Sequence, residues 1–444
     1  MPESNNGGRE PTGWFSRIKQ DVISSTDARL LGFLRFLGLL YGPIARRLPI
    51  DQAFKKALQY RLPAHVGWQH ALGGITYLLF IFMVITGVLL SFYYRPSVQE
   101  AYPSIQYIVS RIPFGWLLRD VHVWSASLLI VAGVAHLVRV FLSGAYKPPR
   151  ETNWVIGLLL ILTFVAFGAT GYLLPWDQWA YWTTAEVVST VDGFPLVGGF
   201  VASMIKGDEF ISGATLSRFF ALHVIILPWV SLGLLILHFA LVRTHGVAPP
   251  AERSAAGEGM PFWPNHLVRT FSVGVLLLAA VITLAALFPR PVGEPANPYV
   301  VPDALVSTWV VVDVSLALVR YLGTWGLVLF SLLAVTLFLL PLFDRKPETD
   351  WRKRPVATSL AALYLVAFLL AWAAGARLES VPPSAALRPE VEERALPPEA
   401  GDEAGSVEEG EPGDAGEAPA EGGEDEPVDS APVDAEPESG DEGP

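Results

Sequence analysis

The 444 residues would suit two or three soluble domains, but 52% are hydrophobic and only 17% charged, and several windows near 20 residues carry almost no charge. That composition describes membrane spans and excludes a soluble or nucleic-acid-binding chain. With no cysteine, the chain cannot itself supply a disulfide, an iron–sulfur cluster, a zinc–thiolate site or thioether-linked haem.

Residues 1–68 are rich in Arg and Lys and hold no run long enough to span a bilayer. The stretch at 30–41 reads as an amphipathic helix, lying at the membrane interface or against a partner, and Lys55, Lys56 and Arg61 read as part of a second. The predicted spans then follow at about 70–93, 119–142, 152–173, 218–241, 267–288, 322–342 and 356–375. Between them, 171–200 holds aromatics and prolines that suggest short surface helices, and 303–320 is apolar but interrupted by Asp303, Asp313 and Arg320. From about 379 to 444 the chain is Glu, Asp, Pro, Gly and Ala; it cannot bury enough apolar surface to offset ordering entropy. Residues 389–444 alone hold 21 acids against one base, so the net charge of −12 hides a basic body and an acidic tail. That tail is either a solvated spacer or an attractant for a basic partner.

Basic residues cluster in the N-terminal segment, at 144–151, at 243–269 and at 344–354. The positive-inside rule therefore puts the N-terminus on the cytoplasmic, electrically negative side and, after seven spans, the tail on the positive side.

Four histidines stand inside the second and fourth spans: His122 and His136, His223 and His238. Their separations, 14 and 15 residues, are each about four helical turns or 21–23 Å, so each pair shares a face and nearly crosses the ~30 Å hydrocarbon core. A lone intramembrane His is often a packing residue or part of a polar path, but four at matched spacing point to function. The topology brings His122 beside His223 near the positive side and His136 beside His238 near the negative side. Each pair could ligate one flat metal ring from both faces; two stacked haems would form an electron path across the membrane. Zinc, with its tetrahedral ligands around one point, fits poorly. Gly73 and Gly87 on the first span, and Gly157 and Gly171 on the third, repeat the 14-residue interval. They either let helices pack closely or make room for porphyrin edges.

LGGIT (72–76), SFYYRPSV (91–98), FGWLLRDVH (114–122), YKPPRE (146–151), GYLLPWDQ (171–178), FWPN (262–265), GEPANP (293–298) and RPVAT (354–358) together resemble the cytochrome b subunit of quinol-oxidising cytochrome bc complexes. The resemblance covers about 52–375. It is strongest to the chloroplast and cyanobacterial type, with the four-helix cytochrome b and the three-helix subunit IV fused here. The implied fold is an all-α membrane protein: an interfacial segment (1–68), a four-helix di-haem bundle (69–245), a three-helix part (246–378) and a disordered acidic tail (379–444).

What the resemblance implies is specific. His122 and His223 would ligate a positive-side, low-potential b haem, and His136 and His238 a negative-side, high-potential one. Arg119 and Arg139 would pair with haem propionates. Residues 171–199 and 293–313 would frame a quinol-oxidation pocket. Arg243 and Lys147 lie where quinone is reduced, or serve only as topology anchors. The partners implied are a Rieske-type iron–sulfur protein, a c-type cytochrome and a second copy of the complex, in a bacterial cytoplasmic membrane. The chain departs from the family twice. Ala71 stands where the chloroplast type attaches an additional haem through cysteine. The family's Pro-Glu-Trp-Tyr motif is absent, with Ser307, Thr308, Trp309 and Val310 in its place, which leaves Asp303 or Asp313 as candidate proton acceptors. The alternatives are a di-haem conduit serving another complex without oxidising quinol, and a transporter using intramembrane histidines.

Overall fold

The computed structural model describes residues 61–67, 70–248, 259–302, 314, 317, 318 and 321–375. The expected amphipathic helix at 30–41, Lys55, Lys56, the candidate acceptors Asp303 and Asp313, residues 307–310 and the tail at 379–444 lie outside them.

Helix α1 (Ala71–Ser91) is 21 residues without a charge, about 31 Å of rise, enough to cross the hydrocarbon core. After α2 (Ala101–Arg111) come α3 (Gly115–Leu142) and α4 (Glu151–Leu173). Two short helices follow, α5 (Gln178–Asp192) and α6 (Gly198–Lys206). Then α7 (Gly213–Ala221), a π-turn (Leu222–Ile226) and α8 (Leu227–His245) run on as one 33-residue span. The last spans are α9 (Leu267–Leu287), α10 (Thr324–Phe343) and α11 (Pro355–Gly375). Among the described residues, six helices are long and apolar enough to cross a membrane. The seventh expected span is the 20-residue α10, whose shorter apolar stretch is Ser331–Phe343.

In lipid, hydroxyls must find partners within the protein. Thr76, Thr86, Thr163, Thr170 and Ser231 each donate to the carbonyl four residues back, which lets a polar side chain sit in an apolar helix. Side chains such as Trp229, Phe271 and Leu276 are about 70% exposed, the surface expected against lipid rather than water.

Helices α1, α3, α4 and α7–α8 form a bundle, with α1 against α3 and α8 against α4. Its centre is a dry cluster including Leu79, Phe80, Leu129, Leu160, Phe164 and Leu235. Helix α9 packs on α3 and α1, and α10 on α4. A two-residue antiparallel pairing, β1 (Arg61–Leu62) with β2 (Met260–Pro261), ties the entry of α1 to the entry of α9. The short α2 was not anticipated, although Ala101, Ile105 and Ile108 mark its buried face at helical spacing.

Candidate haem sites

Helix α3 carries His122 and His136; the α7–α8 span carries His223 and His238. The intervals of 14 and 15 do not match on regular helices, since one extra residue turns a side chain by about 100°. The π-turn at Leu222–Ile226 removes the discrepancy. A π-turn takes up one additional residue, so 15 residues through it reach about as far around the helix as 14 without it. Pro228 is a local cause: it has no N–H to offer the preceding turn. His223 sits within this turn and comes to 6.3 Å, ring centroid to ring centroid, from His122. His136 and His238 line one cavity of about 480 Å³ at the other end of the bundle. That volume is within the usual ~300–1,000 Å³ of cofactor sites.

The four glycines answer the four histidines one to one. A Cβ added at Gly87 would lie 3.2 Å from His122 Cε1, and one at Gly171 2.5 Å from His223 Cε1. At the other end the distances are 3.0 Å from Gly73 to His136 and 3.6 Å from Gly157 to His238. Every imidazole is therefore seated opposite a position that lacks a side chain, on the helix beside its own. Midway between the two levels, seven residues from each glycine, Phe80 and Phe164 meet with centroids 5.6 Å apart. Leu79, Leu129 and Leu160 belong to the same apolar cluster.

The hydroxyls beside the glycines were not singled out from sequence. Thr86 Oγ1 lies 2.8 Å from His122 Nδ1 and gives its own proton to the Phe82 carbonyl. His122 Nδ1–H is then the donor, leaving Nε2 with its lone pair. His223 Nδ1–H donates to the Phe167 carbonyl at 3.0 Å, with Thr170 Oγ1 at 3.2 Å. The sequence signal was available: ITG (85–87) and ATG (169–171) place a Thr before a glycine on each helix. At the other end Leu72 and Ile156 hold those positions, and His136 Nδ1 is buried with no hydrogen-bond partner among the described residues. His238 Nδ1 likewise lacks hydrogen-bond geometry, although the Asn153 carbonyl is the nearby backbone group.

Arg139 lines the cavity of His136 and His238. Arg119 is buried and already engaged: its Nη1 reaches Asp120 Oδ1 at 3.0 Å and the Arg290 carbonyl at 2.7 Å. Asp120 in turn accepts from Arg290 N, and the Arg290 guanidinium stacks 4.1 Å over Trp124. Asp177 extends this seam. Its Oδ1 caps α5 at Ala180 N and its Oδ2 accepts from Gly293 N, so the GEPANP loop is fastened to α5. Burial pushes the Asp177 carboxyl up, against the pull of those amides and of Arg119. Residues 171–199 and 293–302, expected to frame one pocket, are thus in direct contact. Glu186 is a further buried carboxylate on α5.

Lys147, expected as an anchor or a quinone-site residue, is buried in an ion pair with Asp344. His70, one residue before α1, lines the cavity and accepts from Gly67 N through Nδ1. Burial first, then Arg139 and His65, lower it to about 4, so it is neutral over the physiological range.

These residues fit b-type haem. The His122 and His223 rings stand 6.3 Å apart, His136 and His238 line one cavity together with Arg139, and a glycine faces each of the four imidazoles.

Comparison with known proteins agrees. Residues 57–246 match the family model for cytochrome b/b6/petB, and residues 295–386 match that for the C-terminal part, cytochrome b(C-terminal)/b6/petD. The chain is 43% identical to cytochrome b6 of Synechocystis sp. over 189 residues, which is 43% of this chain and 85% of that protein. It is 40% identical to cytochrome b6 of Chlamydomonas reinhardtii over 211 residues, covering 48% and 98% of the two chains. A chain of a hyperthermophilic respiratory complex III superposes with a TM-score of 0.66 and 25% identity, over 78% of this chain and 93% of that one. With both halves matched in order along one polypeptide, the chain belongs to the cytochrome b/b6 family.

Proposed function

We infer that this chain is the electron-carrying membrane subunit of a quinol-oxidising bc-type complex. The observation that carries the reading is the one-to-one facing of four histidines by four glycines at two levels of one bundle. His122 with His223, and His136 with His238, would each hold one non-covalent b haem. Bound there, the haems supply one-electron carriers at the two ends of the bundle. A group held between two imidazoles in this way would supply electron transfer rather than oxygen chemistry.

The remaining residues have derivable roles. Thr86 and Thr170 fix imidazole tautomers at one end. Phe80 and Phe164 would make the layer between the levels apolar. Arg139, and the nitrogens of Arg119 not used by Asp120, would offset propionate charge. Asp120 holds Arg290, just before the GEPANP loop, and Asp177 holds Gly293 within it; together they would fix one wall of the quinol pocket. Quinol at the positive side would give one electron to a Rieske-type partner and one to the His122/His223 level. Through the carrier that His136 and His238 would hold, that electron would reach quinone on the negative side, and two such turnovers would be needed to reduce one quinone fully. Carrying a charge against 100 mV across the membrane takes about 2.3 kcal/mol, which a potential difference between the levels can supply. Asp303 or Asp313 would take a quinol proton in place of the family's glutamate.

The electron acceptor would be a c-type cytochrome. The complex would be dimeric and sit in a bacterial cytoplasmic membrane, with the N-terminus cytoplasmic and the tail on the positive side. The di-haem bundle would span 69–245, the three-helix part 246–378 and the tail 379–444.

A dithionite-reduced spectrum of the purified chain should show two b-type haems per polypeptide, and acidified organic solvent should extract all of it. A single haem, or haem retained on the chain in a denaturing gel, counts against the reading. Quinol:cytochrome c reductase activity of the intact complex separates quinol oxidation from a bare conduit role.

A further inference from the structure

The two histidine levels differ in a way the family resemblance does not assign. At the His122/His223 level both Nδ1 atoms are hydrogen-bonded: His122 to Thr86 at 2.8 Å, and His223 to the Phe167 carbonyl at 3.0 Å with Thr170 at 3.2 Å. At the other level His136 Nδ1 is buried and has no partner among the described residues. The contrast follows from four positions. Thr86 and Thr170 precede the glycines Gly87 and Gly171; Leu72 and Ile156, each 14 residues earlier, precede Gly73 and Gly157.

We propose that Thr86, supported by Thr170, is a potential-setting residue: its oxygen accepts the His122 Nδ1 proton and lowers the potential of the haem held at that level. An acceptor on Nδ1–H shifts electron density toward Nε2 and makes the imidazole the more basic ligand. A more basic axial ligand stabilises ferric over ferrous iron, so the couple is harder to reduce. At the level with leucine and isoleucine the histidines lack that hydroxyl, and ferrous iron is relatively favoured there. The difference directs electrons from the first level to the second. No bond is made or broken and no proton leaves the site; the threonine changes only where density rests.

Thr86 acts in this way because its hydroxyl proton is committed to the Phe82 carbonyl at 2.6 Å, which leaves its oxygen as an acceptor. Thr170 has the lesser share: it stands 3.2 Å from His223 Nδ1, beyond the Phe167 carbonyl at 3.0 Å, whereas Thr86, at 2.8 Å, is the side-chain partner of His122, which also has the Met83 carbonyl nearby.

The proposal rests on the haem assignment above, and the test separates the two. Redox titration of the purified protein, with the haems resolved spectrally, is run on the parent and on Thr86→Val, Thr86→Ser, Thr170→Val and Leu72→Thr. Thr86→Val should raise the midpoint of the His122/His223 haem alone, by about tenfold in the ferrous/ferric ratio at fixed potential, or ~59 mV for one electron. Thr86→Ser should keep the parental value, and Thr170→Val should move it less than Thr86→Val does. Leu72→Thr should lower the His136/His238 midpoint by supplying the missing acceptor. An unchanged midpoint in Thr86→Val, or equal shifts of both haems, overturns the proposal. If Thr86→Val loses its haem, Leu72→Thr decides: no lowering there overturns it. A parent protein without haem instead overturns the haem assignment itself.

Discussion

Gly171→Leu is expected to remove the haem proposed at the His122/His223 level as completely as His223→Ala does, while leaving the one proposed at the His136/His238 level in place. A Cβ at Gly171 would lie 2.5 Å from His223 Cε1 and 3.0 Å from its Nδ1, closer than real Cβ contacts occur. The imidazole cannot simply swing away. It is tied to the Phe167 carbonyl and Thr170, and it stands on a π-turn already displaced from regular helix. A leucine would fill the seat and push the ring off axis, and a buried, well-packed site relaxes only partly. The same geometry grades the alanine variants. Alanine at Gly171 should be the most damaging, then at Gly73 (3.0 Å) and Gly87 (3.2 Å), and at Gly157 (3.6 Å, an ordinary contact) the least. Reduced-minus-oxidised spectra per chain read the outcome. Retention of both haem signals in Gly171→Leu would show that the glycine does not seat His223's ring.

Much of this site was legible in the sequence because it is periodic. Apolar runs near 20 residues fixed the spans to within a few residues, as 267–288 against Leu267–Leu287 shows. Two histidines four turns apart on a helix can be read without coordinates, and so can glycines at the same interval. The threonines were legible too, but only once each glycine is matched to a particular imidazole. The 15-residue spacing was readable as a number and not as a cause: the π-turn that reconciles it with 14 depends on how Pro228 disturbs its neighbours. Contacts between distant segments were out of reach. Nothing local in Arg119 shows that, besides the adjacent Asp120, it meets a carbonyl 171 residues away. Lys147 reads as a loop lysine until Asp344 is placed beside it.

Arg354→Ala is expected to loosen the α10–α11 part from the bundle that contains α3 and to cost on the order of 3–5 kcal/mol, the usual result of removing one partner from a buried ion pair. Arg354 stands just before α11. Its Nη2 donates to the Phe141 and Leu142 carbonyls, at 3.0 Å each, and to the Thr349 carbonyl at 3.2 Å. Phe141 and Leu142 end α3, so the guanidinium satisfies carbonyls that a helix terminus leaves open and places positive charge at the negative end of its dipole. Its Nη1 reaches Tyr146 Oη at 3.0 Å and Asp344 Oδ2 at 3.3 Å. Asp344 also accepts from the Tyr146 hydroxyl and from Lys147 Nζ. Helix α3 carries His136 six residues before its last residue, so the clasp holds the end of a haem helix. Burial pushes the Asp344 carboxyl up, but the hydrogen bonds from Lys147, Tyr146 and Arg354 outweigh it and hold it below the ordinary carboxylate range. A carboxyl depressed in the folded state stabilises above its unfolded pKa, near 4, and that contribution is lost as pH falls through the lower folded value. Arg354→Lys should recover only part of the loss, because an ammonium cannot present the planar fork that reaches two carbonyls and a carboxylate together. Thermal denaturation in detergent, followed through the two haem bands, is the measurement. The haem proposed at the His136/His238 level should be lost first and at a lower temperature in Arg354→Ala. Combining it with Asp344→Ala should cost less than the two single changes added, since they remove one shared network. A parental denaturation profile in Arg354→Ala, or strict additivity with Asp344→Ala, would mean that the cluster is packed but does not hold the two parts together.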